Sequence, residues 1–185
     1  MDPSSVLRRA IREKSPVRIR RRLPQPSNLH GIPLRLGRQL ALVHLFDDFT
    51  FDGFCVFPIA QIRDVRLGEY ESFAKRVLTD NGQFKALGRG VPQVRLTDWP
   101  AFFRSIAKHV KLVIVECERP KDDIFCVGPI VGVNDRVVGI HHFNATAEWD
   151  ARPSGVRHRD ITYVRFLDSY SLAFAPYLGP RPETE

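Results

Sequence analysis

Residues 61–78 read QIRDVRLGEYESFAKRVL, and residues 160–178 read DITYVRFLDSYSLAFAPYL. With one inserted residue the two stretches align, and these identical pairs result: Ile62 with Ile161, Val65 with Val164, Arg66 with Arg165, Tyr70 with Tyr170, and Leu78 with Leu178. Each stretch is typical of a short strand that runs into a helix. A repeat at a distance of about 100 residues predicts that the chain contains two copies of one structural unit.

The first copy reads as a helix, a set of short strands and a second helix. Ser4 and Ser5 are expected to cap the first helix, and residues 17–23 alternate like a strand whose arginines point outward. Further strands are expected at residues 30–36, 39–46, 51–57 and 62–67, and a helix at 70–78. The packing side of that helix is expected to consist of Tyr70, Phe73, Ala74 and Val77.

The second copy repeats this order after residues 80–96, which lack periodicity and are interpreted as a linker between units at 1–79 and 97–185. Thr97 or Asp98 is expected to cap a helix that reaches about His109. The packing face of this helix is predicted to consist of Trp99, Phe102, Phe103 and Ile106. Strands are predicted at residues 111–118, 124–133, 137–143, 155–157 and 161–167, and a last helical turn at 170–178. Five short strands per copy favour a mainly β fold, with a strongly bent sheet or small barrel in each copy.

Composition places the chain among globular proteins. Of its 185 residues, 43% are hydrophobic and 26% charged, which is enough to form a core and excludes wholesale disorder. No apolar run approaches the length of a membrane span, and the polar, basic start does not resemble an export signal. Cys55, Cys117 and Cys126 lie in apolar runs, which indicates buried thiols in a reducing compartment. We therefore expect a cytoplasmic protein that makes no contact with membranes.

The positive charge is concentrated at the N-terminus. Residues 1–22 contain eight basic and two acidic residues, which accounts for six of the seven net positive charges. Such a block can attract the phosphate backbone of nucleic acid, or it can be a solvated face without a partner.

The first copy resembles the Sm/Hfq family of small β-barrels. REKSPVRI at residues 12–19 is similar to the segment where the Hfq helix turns into the first strand, and GIPLRLGRQLALVHL at residues 31–45 resembles the long bent second and third strands. The resemblance implies two tandem Sm-like barrels of five strands, each preceded by a helix. The whole chain also resembles bacterial proteins of unknown function through FCVG at 125–128, the HF and WD pairs at 142–143 and 149–150, and the run at 160–170.

The resemblance also implies where RNA would bind. The family's uridine-binding pore uses a Tyr-Lys-His run before the fifth strand, and Arg157, His158 and Arg159 occupy these positions in the second copy. The first copy has Pro58, Ile59 and Ala60 there, which cannot contact phosphate. The family's basic rim is matched by Arg12 and Lys14 and reinforced by Arg8 and Arg9; the full set of expected nucleic-acid-binding residues is Arg8, Arg9, Arg12, Lys14, Arg18, Arg20, Arg157, His158 and Arg159.

Other kinds of site are less well supported by the residues. His141 and His142 are adjacent on a predicted strand, so their side chains point to opposite faces and no metal site is expected. Asp47, Asp48 and Asp52 could hold a cation but are interpreted as turn residues. The cysteines lie in apolar runs and no turn presents a nucleophile, so we expect neither catalysis nor a cofactor.

These patterns predict a non-catalytic nucleic-acid-binding or scaffolding module, with RNA backbone as the ligand. The alternative is a protein–protein interaction module that uses open strand edges, including pairing with further copies of itself. His158 has an alternative of its own, since it could simply be a solvent-facing strand residue.

Overall fold

The structure is a computed structural model that describes residues 2–23, 28–118 and 123–182. The helices in this part of the chain are α1 (Pro3–Glu13), α2 (Glu69–Asp80), α3 (Trp99–Ile106) and α4 (Ser169–Phe174). The strands are β1 (Val17–Arg21), β2 (Asn28–Leu36), β3 (Leu40–Asp47), β4 (Thr50–Pro58), β5 (Ile62–Arg66), β6 (Val113–Cys117), β7 (Ile124–Gly128), β8 (Ile130–Val133), β9 (Val137–Ile140), β10 (Ser154–Arg157) and β11 (Tyr163–Phe166). The expected mainly β fold is confirmed.

Two antiparallel sheets contain these strands. The larger has eight strands in the order β5-β1-β2-β3-β4-β11-β6-β7, and the smaller has three in the order β10-β9-β8. Strands β4 and β11 join the halves of the chain, with Val56 opposite Val164 and Phe54 opposite Phe166. Within the described residues both sheets are open, so no closed barrel is formed.

Helix α1 packs against strands β2 and β5, and two of the expectations for residues 4–23 need correction. Leu7 and Ala10 are fully buried, and the arginines of the helix are exposed. The cap is Asp2 rather than Ser4 or Ser5, because the Asp2 carboxylate accepts the backbone N–H groups of both serines. Arg21 was expected to point outward but is buried, because its guanidinium group pairs with Glu118 in the second half of the chain.

Three further expectations about the elements are wrong in detail. The inward side of α2 consists of Glu71, Ala74 and Leu78, while Tyr70 and Phe73 are about half exposed. The predicted strand 124–133 is two strands, because Pro129 has no N–H group with which to continue a ladder. The predicted strand 137–143 ends at Ile140. Beyond this residue the chain no longer pairs with β8 and runs beside β7 instead, where the Phe143 N–H bonds to the carbonyl oxygen of Val127.

Strands β3 and β4 are buried on both faces. One face contributes Ala41, Val43, Cys55 and Phe57 to a core that α1 and β1 complete. The other face contributes Leu40, Leu42, Phe54 and Val56 to a larger core with α3 and the second half. The predicted packing face of α3 (Trp99, Phe102, Phe103 and Ile106) is buried in this larger core, which confirms it. Val94 and Leu96, from the segment interpreted as a linker, are buried in the same core; the unit boundaries at 79 and 97 stay a prediction.

In each half a glycine lies at a point where another segment of backbone passes close by; these two points are called the glycine crossings. A Cβ atom at Gly31 would lie 2.6 Å from the carbonyl oxygen of His44, and a Cβ at Gly128 would collide with the carbonyl oxygen of His141. Any larger residue would push the neighbouring backbone away at these points.

Among the described residues, no helix is both long enough and apolar enough to cross a membrane.

Candidate nucleic-acid interface

The exposed side of α1 carries the first group of predicted binding residues. Arg8, Arg9, Arg12 and Lys14, here called the helix patch, are all exposed. Arg9 Nε lies 2.8 Å from Glu13 Oε1, so part of its charge is balanced locally. Lys14 ends the helix in a left-handed conformation, with φ of 47°. Because Leu7 and Ala10 on the opposite side of α1 are buried in the core, the core packing fixes the position of the helix that carries the patch.

Arg18 and Arg20 do not belong to the helix patch. Strand β1 alternates, so Val17 and Ile19 face the core under α1 while Arg18 and Arg20 point to the other face of the sheet. Arg20 pairs with Asp64 at 3.5 Å. The structure therefore divides the predicted N-terminal site between two faces.

Arg18 lies in a short basic strip across three strands. In register it is opposite Arg66 on β5 and His30 on β2. Burial, and then the charge of Arg18, lower the pKa of His30 below its ordinary value. His30 also contacts the ring of Tyr70 edge-on, with the ring centroids 5.8 Å apart. Arg18 and Arg66 occupy opposite positions on neighbouring strands, while the Glu71 and Asp47 carboxylates nearby act on His30 in the opposite sense and raise its pKa.

The second predicted patch lies on the 3₁₀ turn His158–Asp160 after β10. Arg157 and Arg159 are exposed. Arg157 Nε lies 2.6 Å from Asp160 Oδ2, and Arg159 Nε lies 3.9 Å from Asp160 Oδ1. His158 is buried instead of solvent-facing, and its Nε2 lies 3.0 Å from the carbonyl oxygen of Asn134. Its ring stacks on the ring of Phe103, with the ring centroids 5.7 Å apart. His158 thus supports the turn from inside, and the arginines on either side are the groups that reach solvent.

The same backbone turn occurs in the first half, at Ile59–Gln61 after β4. The residues before the two turns, Pro58 and Arg157, have φ of −66° and −72° and the same ψ of 129°. The residues after them, Ile62 and Ile161, have φ of −69° and −68°, and each donates its N–H to the first residue of its turn. Residues 58–60 carry no charge, so the first half has no counterpart of the arginine patch.

Arg136 is a basic residue near this patch that the sequence reasoning missed. It lies in the turn between β8 and β9, and its carbonyl oxygen accepts the N–H of His158 at 2.9 Å. The signal was an arginine in the turn-like run Asn134-Asp135-Arg136 between two strand-like segments. The sequence could not show that this turn meets residues 157–159.

A buried polar cluster joins the two halves. Arg21 makes two hydrogen bonds to the Glu118 carboxylate, at 2.7 and 2.8 Å, and its guanidinium lies over the ring of Tyr163. Thr162 Oγ1 donates to Glu118 Oε2 at 2.6 Å. Burial raises the pKa of the neighbouring Glu116 carboxyl. This cluster, rather than solvent, is the environment of Arg21.

The three cysteines lie in the interior of the protein. All three cysteines are reduced and buried, and burial raises the pKa of Cys55 to about 12. In the described part of the chain, no three His, Cys, Asp or Glu side chains lie close enough together to hold a metal ion.

Comparisons with protein-family models, with curated proteins and with solved structures find no match to this chain.

Proposed function

We propose that the chain is a non-catalytic nucleic-acid-binding or scaffolding module that contacts the phosphate backbone of RNA. The observation that carries this proposal is the helix patch, in which four cationic side chains project from a helix packed rigidly on the sheet. Lysine and arginine on such a surface bind phosphates by charge and release counterions, without reading the bases. The Arg18 strip and the arginines at 157 and 159 would be secondary contacts. That the chain is not an enzyme and needs no cofactor stays a prediction.

The finer fold proposal is that the chain consists of two Sm-like units in tandem. The strand order β5-β1-β2-β3-β4 of the first half supports it, as do the matching turns at 59–61 and 158–160. In the second half β6, β7 and β11 lie in one sheet and β8 to β10 in another, as expected if the long second strand were broken at Pro129. The glycine crossings at Gly31 and Gly128 support the same correspondence.

Charge reversal of the helix patch tests the RNA proposal. Arg8→Glu, Arg9→Glu and Arg12→Glu together should weaken binding of single-stranded RNA by about a hundredfold or more, since attractive contacts become repulsive. Fluorescence anisotropy with a labelled oligonucleotide measures the effect. The control, Arg89→Glu with Arg95→Glu and Arg181→Glu, makes the same change of net charge at exposed positions elsewhere. Equal losses in the two variants would mean that the helix patch is not the binding surface.

The second candidate function is pairing of strand edges between copies of the chain. Among the described residues β5 ends the larger sheet and β10 ends the smaller, and these strands flank the two matching turns. Inside the chain β4 already pairs with β11 across the halves. Pairing of β10 with β5 of another copy would repeat that contact and extend the assembly.

Light scattering of the purified chain tests this second candidate. Gly155→Lys places a charge on β10 and should convert an assembly to single chains. Gly132→Lys on β8 is the control, since the space around Gly132 is open and β8 is not part of the expected contact. A single chain in solution before any substitution would exclude this function.

A further inference from the structure

An apolar slot of about 230 Å³ opens beside the helix patch. Three segments of the chain form it. Ile11 and Lys14 come from the C-terminal end of α1, a second group of residues comes from the middle of β2, and Phe84 and Leu87 come from the 3₁₀ turn Gln83–Ala86 and the residue after it. Because Lys14 belongs to both the slot and the helix patch, a group that enters the slot lies next to the cations of α1.

The walls of the slot are held in place by the fold. Ile32 is fully buried in a core that it shares with α2, and Phe84 and Leu87 pack against the same core. The Gly88 N–H donates to His44 Nδ1 at 3.2 Å, which ties the end of the turn segment to β3. The slot is therefore formed before any ligand binds.

The lining of the slot carries a single charge, and this charge is positive. Six of the seven lining side chains are apolar, and the seventh is the exposed Lys14. Pro33, in the middle of β2, has no N–H group to offer. The lining side chains contain no hydrogen-bond acceptor, and their only donor is the Lys14 ammonium group. The occupant that matches this lining has an apolar face for the slot and a negative group beside it for Lys14.

We infer that the slot receives one unstacked nucleobase, whose own phosphate lies against Lys14 and the helix patch. A base has an apolar π face that packs on aromatic side chains such as Phe84, and the phosphate supplies the negative charge. Sites for drug-sized molecules have volumes of about 300–1,000 Å³, so a slot of about 230 Å³ suits a single ring system. The inference deepens the proposed function and rests on it where the base belongs to an RNA strand.

Strands with and without bases separate the slot from backbone binding. In fluorescence anisotropy the full chain should bind an oligouridylate about tenfold more tightly than an abasic ribose-phosphate strand of the same length and charge, the effect of one stacked base. Oligocytidylate should bind as tightly as oligouridylate, because the lining side chains have no groups that pair with the edges of a base. Equal affinities for the oligouridylate and the abasic strand overturn the slot and leave the backbone proposal standing.

Replacement of one ring tests whether this slot is the place where the base binds. Phe84→Leu keeps an apolar side chain in the lining but removes the ring, and should lose most of the preference for strands with bases. Phe125→Leu is the matched control, because Phe125 is an exposed ring on β7 outside the slot, and it should keep the preference. A preference that survives Phe84→Leu unchanged places the base elsewhere and overturns the inference.

Mononucleotides test the slot if neither strand binds, a result that would refute the proposed function alone. Uridine monophosphate at millimolar concentration should raise the melting temperature of the chain. Ribose 5-phosphate, which has the phosphate and no base, should not raise it. Phe84→Leu should abolish the rise and Phe125→Leu should keep it. If neither strand binds and uridine monophosphate gives no rise, the inference is overturned as well.

Discussion

The turns at 59–61 and 158–160 have nearly the same backbone and opposite surface chemistry. The first carries Ile59, Ala60 and Gln61, and the second carries His158, Arg159 and Asp160. Both turns connect a strand to the next strand through a single hydrogen-bonded turn, so the fold requires their backbone shape. Their side chains differ: Arg157 and Arg159 are exposed at the turn of the second half, and the matching residues 58–60 of the first half carry no charge. The comparison teaches that similar backbones in the two halves do not imply similar binding.

A second difference concerns the long strand of each half. In the first half β2 continues past Pro33 through a bulge and stays in one sheet. In the second half Pro129 separates β7 from β8, and the strands fall into two sheets. The turn between β8 and β9, which carries Arg136 and contacts His158, lies in the part of the chain that this break sets apart.

The largest effect on stability should come from removing the buried ion pair of Arg21 and Glu118, which joins the two halves. Arg21→Met should lower the free energy of unfolding by about 3 kcal/mol or more, because it leaves the Glu118 carboxylate without its main partner. Urea unfolding measures the change. Arg21→Met combined with Glu118→Met should recover most of the loss.

A matched control for this experiment is the exposed pair of Arg9 and Glu13. Arg9→Met should cost less than about 1 kcal/mol, as is usual for surface pairs. If Arg21→Met costs as little as Arg9→Met, the buried cluster does not hold the halves together.

The next largest effect should come from the glycine crossings. Gly31→Ala and Gly128→Ala should each lower the free energy of unfolding by about 1–3 kcal/mol, since the new methyl group meets the backbone of His44 or of His141. Thermal or urea unfolding checks this. Gly132→Ala is the control, because its Cβ would meet no atom within 4 Å. A loss in one half and not in the other would show that the two crossings are not equivalent.

A smaller effect should appear in the pH dependence of stability. Burial lowers the pKa of His44 from 6.5 to about 4. As the pH falls from 6.5 towards 4, the unfolded chain binds this proton and the folded chain does not, so stability decreases over that window and levels out below about pH 4. His44→Phe keeps a ring against Phe51 and Phe54 and should make the melting temperature fall less steeply over this range. An unchanged slope would contradict the assignment to His44.

The smallest effect should follow from exchanging the exposed residues of the two turns. Ala60→Arg and Arg159→Ala should each change the free energy of unfolding by no more than about 0.5 kcal/mol, because both positions are exposed. Arg159→Ala should nevertheless weaken RNA binding slightly, because Arg159 is one of the proposed secondary contacts. Thermal unfolding and fluorescence anisotropy with the labelled RNA are run on the same samples. A large loss of stability would mean that the fold requires the side chains of the turn.

Local patterns predicted the elements well where burial repeats along one element. The spacing of Trp99, Phe102, Phe103 and Ile106 gave the packing face of α3, because a helix brings these positions to one side. The face of α2 was predicted less well, since Tyr70 and Phe73 are apolar enough to be buried but lie beside solvent.

The sites depended on contacts that no local pattern contains. Arg21 reads as an outward strand residue until Glu118, 97 residues away, is placed beside it. His158 reads as exposed until Phe103 and Asn134 cover it. The helix patch was predictable because its exposure follows from the period of a single helix.

The most direct test of the central claim is the salt dependence of binding to single-stranded RNA. If the four cations of the helix patch each neutralise one phosphate, the logarithm of the association constant should fall with the logarithm of salt concentration with a slope of about −3. The account predicts micromolar binding at about 50 mM salt that weakens along this line. No detectable binding at about 50 mM salt, or binding that does not change with salt, would contradict it.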